Sequence, residues 1–156
     1  MSIIEARKHL EKFHRENDIL EFDESSATVL LAAEVLNVEP GRIAKSISLK
    51  NGEGAILVVT AGDTKVDNKK FKAEFGMKAK MLTPEETMKY IGHPVGGVCP
   101  FGLKKDVPIF LDESLKRFET VYPACGSSNS AIKLTCSELE EYSESQKWVD
   151  VCKNME

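Results

Sequence analysis

The strongest constraint on the fold is a β-hairpin signal in the first third of the sequence. From Ile43 to Lys50, large aliphatic residues alternate with small or polar ones, as in a strand with one buried face. Asn51-Gly52 follows directly, and this dipeptide favours a tight hairpin turn. The next apolar run, Ala55 to Thr60, is typical of a buried strand. The sequence therefore predicts two antiparallel strands joined by a short turn.

Helix signals lie on both sides of this strand pair. Ser2-Ile3-Ile4-Glu5 has the residue types of a capping box, and apolar residues at helical spacing follow it to about Glu16. Caps and helix breakers predict four more helices: Ala27 to Leu36 before Pro40-Gly41, Asp67 to Phe75 before Gly76, Thr83 to Ile91, and one capped by Thr135. Short strands are predicted at Val107 to Leu111, Thr120 to Tyr122, Ala131 to Leu134 and Trp148 to Val151.

These helices and short strands mix without the regular βαβ alternation of a Rossmann fold. We therefore predict an α+β (mixed α/β) architecture. The chain has 156 residues and shows no repeat, linker or low-complexity tract, which predicts a single domain over residues 1–156.

The composition argues against several functional classes. No apolar run approaches the ~20 residues that a membrane helix needs, and the N-terminus lacks the basic and apolar regions of a signal peptide. We therefore expect a cytoplasmic protein. The four cysteines are scattered without a CxxC spacing, which favours reduced thiols over disulfides or a zinc site. The three histidines add no metal-binding spacing, so we expect neither a metal nor a cofactor.

The charge pattern gives a weaker indication. The formal net charge is −4, whereas proteins that grip duplex nucleic acid through its phosphates are usually basic. Lysines nevertheless cluster at Lys65, Lys69, Lys70, Lys72, Lys78 and Lys80, with Lys104 and Lys105 further on. On charge alone, a solvated face is the favoured interpretation of this cluster.

Lys45 stands out on the predicted hairpin. Because side chains alternate along a strand, Lys45 points the same way as Ile43, Ile47 and Leu49. A lysine on an apolar face is costly unless it has a partner or borders a pocket. The alternative is a lysine near the start of the strand whose ammonium group reaches past the core to water. Periodicity alone does not decide between the two.

A second unusual feature is the glycine-rich segment from Gly92 to Gly102, which contains Gly96-Gly97 ahead of Pro100. A loop without Cβ atoms lets backbone N–H groups approach a ligand, where they can stabilise a developing negative charge. The simpler interpretation is a turn between a helix and a strand. The segment is not a phosphate-binding Walker loop, because no Gly-Lys-Ser/Thr follows.

Two further groups of residues are candidates. Small polar residues between Ala124 and Ser130 can hydrogen-bond a ribose or an ammonium group, although on their own a plain polar loop before a strand is the favoured interpretation. Cys99 and Cys125 are candidate nucleophiles, but a reactive thiol needs a base or cation nearby. His93 is the only plausible base, which makes a Cys/His pair a weak hypothesis.

Together these segments resemble a known family, the YbaK/ProX (EbsC-like) aminoacyl-tRNA deacylases. The motifs are Ile-Ala-Lys-Ser-Ile at 43–47, Gly-His-Pro-Val-Gly-Gly-Val-Cys-Pro-Phe-Gly at 92–102 and Gly-Ser-Ser-Asn-Ser-Ala-Ile-Lys-Leu at 126–134. They stand in the order seen in that family, whose members are related to the editing domain inserted in bacterial prolyl-tRNA synthetases. The resemblance runs from the helix that carries Thr28 to residues 148–151.

The resemblance implies a mixed β-sheet curled into a barrel-like core with helices packed outside. It also implies hydrolysis of the ester that joins an amino acid to the 3′ end of tRNA. The family's functional lysine corresponds to Lys45, and its glycine-x-x-x-proline loop to Gly96 through Pro100. Many relatives have threonine after the lysine, whereas this sequence has Ser46.

On these grounds we predict Lys45 as the catalytic residue. The predicted substrate-binding residues are Thr28, Ser46, His93, Gly96, Gly97, Val98, Pro100, Gly126, Ser127, Asn129 and Ser130. N–H groups near Gly97 and Val98 are expected to stabilise the oxyanion. No acid or base of the usual hydrolase kind is evident, so the attacking water is expected to be oriented by the substrate, for instance by the ribose 2′-hydroxyl.

The expected substrate is tRNA that carries a small amino acid such as alanine, cysteine or serine, most often on tRNA for proline. The acceptor end of aminoacyl-tRNA is the expected partner, with prolyl-tRNA synthetase as a possible second one. The alternative function is a catalytically silent module of the same fold that senses tRNA or an amino acid. A thiol hydrolase that uses Cys99 is a more distant third.

Overall fold

The secondary structure comes from a computed structural model that describes residues 2–104 and 106–155. Its α-helices are α1 (Ser2–Glu11), α2 (Val29–Leu36), α3 (Asn68–Phe75), α4 (Pro84–Tyr90) and α5 (Cys136–Ser143). The strands are β1 (Leu20–Glu21), β2 (Ile43–Asn51), β3 (Gly54–Ala61), β4 (Thr64–Val66), β5 (Ile109–Asp112), β6 (Thr120–Pro123), β7 (Ser130–Ala131), β8 (Leu134–Thr135), β9 (Lys147–Val149) and β10 (Cys152–Asn154). Short 3₁₀ helices lie at Glu16–Asp18, Pro40–Arg42 and Glu113–Arg117.

The predicted hairpin is confirmed and lies in the middle of a six-stranded mixed sheet, whose strand order is β8-β6-β2-β3-β5-β9. β2 and β3 pair antiparallel from Ala44–Ala61 to Asn51–Gly54, and Gly52 supplies the positive φ that the turn needs. β6 runs parallel to β2, whereas β5 runs parallel to both β3 and β9. The sheet is curled into a half-barrel, so the predicted α+β fold is confirmed.

Strand β3 is buried on both faces and separates two parts of the core. Leu57 and Val59 pack in a cluster with residues of α1 and α5, such as Leu10 and Leu139. Val58 faces the opposite way, into a cluster with Leu49 of β2, Phe71 of α3 and Val151. Burial on both sides explains why the sequence of β3 is a continuous apolar run rather than an alternating one.

Helices with clear caps are confirmed. Asp67 caps α3 and Gly76 ends it in the left-handed conformation, whereas Thr83 and Thr135 form capping boxes at α4 and α5. Helix α2 begins at Val29 after its cap Thr28. Its predicted end at Leu36 is confirmed, but the residue that stops the helix is Asn37, which adopts a left-handed conformation, rather than Pro40-Gly41.

The remaining differences fall on ends and short elements. Helix α1 ends at Glu11 instead of Glu16, because His14 has a φ of 61° and breaks the helical turn. The predicted strand from Ala131 to Leu134 was wrong, since it splits into β7 and β8, which pair with β1 and β6 respectively. Strands β1, β4 and β10 were missed. In the predicted capping box, the Ser2 side chain lies outside the part of the chain that the structure describes, as does Lys105.

Candidate active site

A cavity of about 330 Å³ lies along one edge of β2. On this edge, β6 pairs only with Ile43 and Ala44, the first two residues of β2. Further along the same edge, the Ser48 carbonyl accepts a hydrogen bond from the Leu82 N–H at 3.1 Å. Ser46 lies between these two points. Because alternate residues present their backbone groups to the same edge, the N–H and C=O of Ser46 face the gap.

The cavity brings together six of the twelve residues that the sequence singled out. These are Thr28, Lys45, Ser46, Gly96, Val98 and Ser130. They come from four separate parts of the chain: the start of α2, strand β2, the glycine-rich loop and β7. The volume is near the lower limit of about 300 Å³ for ligand pockets. A small group fits such a space.

Lys45 lies on the cavity wall and is half-buried. Its Nζ donates a hydrogen bond to the carbonyl of Thr64. Burial lowers the pKa of Lys45, because the charged form loses hydration, while the nearby groups of Cys152 and Asp63 oppose that shift. Lys45 thus borders the cavity and its ammonium group has a polar partner, the condition under which a lysine is tolerated on this strand face.

The cavity offers little conventional acid–base chemistry. Among its described lining residues, Lys45 and Tyr122 are the only ones with ionisable side chains, so no carboxylate, imidazole or thiol faces the space. Within residues 2–104 and 106–155, no three His, Cys, Asp or Glu side chains are placed to hold a metal ion. The chemistry available at the wall is therefore hydrogen bonding and positive charge.

Ser46 contributes a hydroxyl group that is available to hydrogen-bond a ligand. It lies on the same strand face as Ala44 and Ser48, and all three line the cavity. Its Oγ is shielded from solvent and has no hydrogen-bond partner among the described residues. A buried hydroxyl without a partner loses free energy that a ligand can restore. This observation favours Ser46 as a substrate contact.

The glycine-rich loop forms a tight turn at the cavity. The Gly97 N–H donates to the Pro94 carbonyl at 3.0 Å, and Gly96 has a φ of +94°. Type II turns require a positive φ at that third position. The Gly97 N–H is thus already paired and does not stabilise an oxyanion. The N–H groups of Gly96 and Val98 have no partner in the described chain, and both residues line the cavity.

Gly97 has a different role. It is buried, and a Cβ added to it would lie 2.8 Å from backbone atoms of Gly126 and Ser127. The absence of a side chain therefore lets two loops pack backbone against backbone. Gly97 itself is not part of the cavity wall.

The loop from Gly126 to Ser130 mainly supports the site. The Ser127 hydroxyl donates to the Ser130 Oγ at 2.7 Å, and the Asn129 amide donates to the Phe22 carbonyl at 2.8 Å. The Ser128 carbonyl accepts from the Ser26 N–H at 2.6 Å. These bonds hold the segment ahead of α2 in place. Of the predicted contacts in this loop, Ser130 reaches the cavity, whereas Gly126, Ser127 and Asn129 lie behind it.

His93 and Cys99 are close to each other but lie away from the cavity. The His93 Nε2 lies 2.7 Å from the Phe101 carbonyl and 3.6 Å from the Cys99 Sγ, and both side chains are fully buried. Burial raises the pKa of the Cys99 thiol to about 12 and lowers the pKa of His93. Cys125 is buried likewise, and its pKa is also raised. The two thiols therefore stay protonated at neutral pH, and none of the three side chains lines the cavity, so none is placed to act there as a nucleophile or base.

Pro100 also lies outside this cavity, beside a separate surface cleft near His9. Conversely, no sequence pattern singled out Met81, Leu82, Thr87 or Val95, which also line the cavity. The predicted capping box at Thr83 is confirmed, but no feature of the sequence indicated that α4 approaches β2. The four cysteines are free, as the sequence predicted.

The comparison with protein families decides the class. Residues 23–142 match the aminoacyl-tRNA editing domain. The chain belongs to this family. The resemblance seen in the sequence is thereby confirmed, and so is the predicted enzyme class, an aminoacyl-tRNA deacylase.

Individual relatives agree with this assignment. The YwhH protein of Bacillus subtilis is 55% identical over 157 residues, covering 100% of both chains. EbsC of Enterococcus faecalis, named as a candidate Cys-tRNA(Pro)/Cys-tRNA(Cys) deacylase, is 32% identical over 104 residues, which are 65% of this chain and 63% of EbsC. A crystal structure described as a candidate trans-editing enzyme for prolyl-tRNA synthetase has a TM-score of 0.87 and 28% identity, covering 98% of each chain.

The turn at Gly96 gives a testable prediction for this editing domain. In Gly96→Ala, the positive φ is strained by about 1–3 kcal/mol, and the new Cβ lies 3.1 Å from that of Ala27. The turn must therefore move. A displacement of about 1 Å can reduce the rate of a positioned reaction about 100-fold. We expect lower stability together with a loss of deacylation, measured by chemical denaturation and by decay of charged tRNA.

Gly52→Ala is the matched control. Gly52 also has a positive φ, of +62°, but a Cβ there meets nothing within 4 Å. This variant should lose similar stability and keep its activity. Equal activity losses in the two variants would contradict a specific role for the turn at Gly96.

Proposed function

We propose that this protein is a trans-editing hydrolase that removes a small amino acid from mischarged tRNA, above all from tRNA for proline. Alanine is the first candidate, with cysteine and serine next. The observation that carries the proposal is the small cavity beside β2, in which Lys45 is the only formally charged lining residue among those described. Such a space suits an aminoacyl ester at the end of a longer anionic chain.

Catalysis in this site rests on positioning. The Lys45 ammonium group holds the terminal phosphate or polarises the ester carbonyl, and the N–H groups of Gly96 and Val98 stabilise the oxyanion. Water attacks the carbonyl carbon, the bond to the 3′-oxygen breaks, and a proton passes to that oxygen. The ribose 2′-hydroxyl orients the water and relays the proton, because the described cavity wall contains no carboxylate or imidazole.

The size of the cavity supports selection against larger amino acids. A synthetase pocket distinguishes one methylene group by only about 1–3 kcal/mol, so a second and smaller sieve is needed to remove small amino acids charged in error. Thr28 lies on the wall with Ser46 and offers its O–H group as a donor, whereas the Ser130 hydroxyl is already bonded to Ser127 and to the Cys125 N–H. Cognate prolyl-tRNA should be spared because the proline ring does not fit the small cavity in the position that hydrolysis requires.

The partner that follows from this reaction is the acceptor end of aminoacyl-tRNA. Prolyl-tRNA synthetase is a further proposed partner, supported by the description of the similar crystal structure. Among the described helices, none is both long and apolar enough to cross a membrane. We place the protein in the cytoplasm because its proposed substrate is made there.

A panel of charged tRNAs tests the proposed function. Alanyl-, cysteinyl-, seryl- and prolyl-tRNA for proline are incubated with the enzyme, and the decay rate of each ester is compared with its spontaneous decay. We expect fast hydrolysis of at least one of the three small-amino-acid substrates and sparing of prolyl-tRNA. Equal rates on all four would contradict the sieve, and no hydrolysis of any substrate would favour the catalytically silent module.

Lys45→Met gives a second test. It removes the charge with little change in volume, so deacylation should fall about 100-fold or more if the cation stabilises the transition state. Lys50→Met is the matched control, since Lys50 lies on the same strand but pairs with Glu86 at 3.0 Å and does not line the cavity. The Lys50→Met variant should deacylate charged tRNA at a near-normal rate. Near-normal rates in folded Lys45→Met would remove Lys45 from the mechanism.

The pH dependence of the free energy of unfolding, compared between the wild type and Lys45→Met, shows how burial of the Lys45 charge affects stability. The lowered pKa of Lys45 means that the unfolded chain binds its proton more tightly. Stability of the wild type should therefore rise, relative to the variant, as pH increases through the lowered pKa toward the ordinary value of 10.5. Below that range, the variant should unfold at no lower denaturant concentration than the wild type.

A further inference from the structure

The segment from residue 64 to residue 81 has an unusual balance of charge. It contains six lysines but only two acidic residues, Asp67 and Glu74. Both acidic side chains already have partners other than the six lysine ammonium groups. The Asp67 carboxylate accepts the N–H groups of Lys69 and Lys70 at the start of α3, and Glu74 pairs with Lys147 at 2.7 Å. The positive charge of the segment is therefore not balanced from within it.

Most of its lysines have no ionic partner. Lys70 pairs with Asp150 at 3.2 Å. The other five are exposed and make no ion pair within the described chain. We call these five the lysine surface: Lys65, Lys69, Lys72, Lys78 and Lys80.

The lysine surface lies on one side of the molecule. Phe71 of α3 packs on the same core cluster as Met77 and Ala79. Helix α3 and the extended segment after it therefore cover the same part of the sheet, and their outward side chains emerge together. Lys69 and Lys72 are three residues apart, which places them next to each other on the helix.

One end of the segment reaches the cavity, and the other contacts a residue that lines it. At its start, the Thr64 carbonyl accepts the hydrogen bond from Lys45. At its end, Met81 lines the cavity, and the Lys80 carbonyl accepts the N–H of Lys50 at 2.8 Å. The lysine surface is thus continuous with the proposed site for the aminoacyl ester.

Two like charges face each other across strands in this region. Lys65 of β4 lies directly opposite Lys153 of β10, and both are exposed. Like charges opposite each other in a sheet are destabilising. An anion bound here would relieve that repulsion. The rest of the chain is acidic, so its field directs a polyanion toward this face.

We propose that the lysine surface binds phosphate groups of the tRNA acceptor arm while the aminoacylated 3′ end occupies the cavity. The proposal rests on the proposed function and names how the same enzyme holds the rest of its substrate. A chain with net charge −4 can in this way bind RNA through one local face.

Two double variants test the proposal, Lys69→Gln/Lys72→Gln and Lys78→Gln/Lys80→Gln. The control is Lys8→Gln/Lys116→Gln, which removes the same charge from exposed residues away from the cavity. Each protein is assayed with alanyl-tRNA for proline and with the same amino acid esterified to the trinucleotide CCA. Binding of uncharged tRNA is measured over a range of salt concentrations, and thermal unfolding confirms that the variants fold.

We expect each test variant to bind tRNA about tenfold more weakly at moderate salt, and its log Kd against log salt slope to fall by about 1.4–1.8, the value for two lost phosphate contacts. kcat/KM on full tRNA should fall with little change in kcat, and rates on the CCA ester should equal those of the wild type. The control should match the wild type throughout.

The proposed role of the lysine surface would be overturned if the test variants bound tRNA with wild-type affinity and salt slope. It would also be overturned if the control variant lost as much tRNA affinity as the test variants. The two proposals fail in different ways. If the wild type hydrolyses neither ester, the proposed function fails, while the binding and salt measurements still decide whether the lysine surface holds RNA.

Discussion

The incomplete pairing of β2 determines where this protein can do chemistry. One edge of the strand pairs with β3 over its whole length, which fixes the sheet. The other edge pairs with β6 for two residues only and is contacted again at Ser48. The gap between leaves backbone groups and a serine hydroxyl facing a small cavity. Helix α2, the glycine-rich turn and β7 close that cavity from other sides.

Lys45 illustrates how such a site is maintained at some loss of stability. Its ammonium group is half-buried, and its lowered pKa shows that the fold disfavours the charge. A single carbonyl, that of Thr64, accepts a hydrogen bond from it. Residues kept in unfavourable surroundings are common at functional sites. The same logic applies to the unpartnered hydroxyl of Ser46.

Local signals in the sequence predicted much of the fold, because hairpin turns and helix caps depend on adjacent residues. Asn51-Gly52, Asp67 and Thr135 all act where the pattern placed them. The site was predicted less completely. Val98 could be selected from its motif, but which N–H groups in the loop remain unpaired depends on the turn closed by Pro94 and Gly97. The part of the wall formed by Met81 and Thr87 depends on contacts between segments that are distant in sequence. Local sequence patterns do not predict such contacts.

In the mechanism proposed above, the cavity positions an activated ester and the substrate's own ribose supplies the proton relay. Single-turnover hydrolysis of tRNA ending in 2′-deoxyadenosine, with alanine on the remaining 3′-hydroxyl, removes that relay. We expect a rate at least about 100-fold below that of the normal ester, the size of a lost acid–base group, with unchanged binding. An undiminished rate would contradict this mechanism, because a protein group would then have to act as the base.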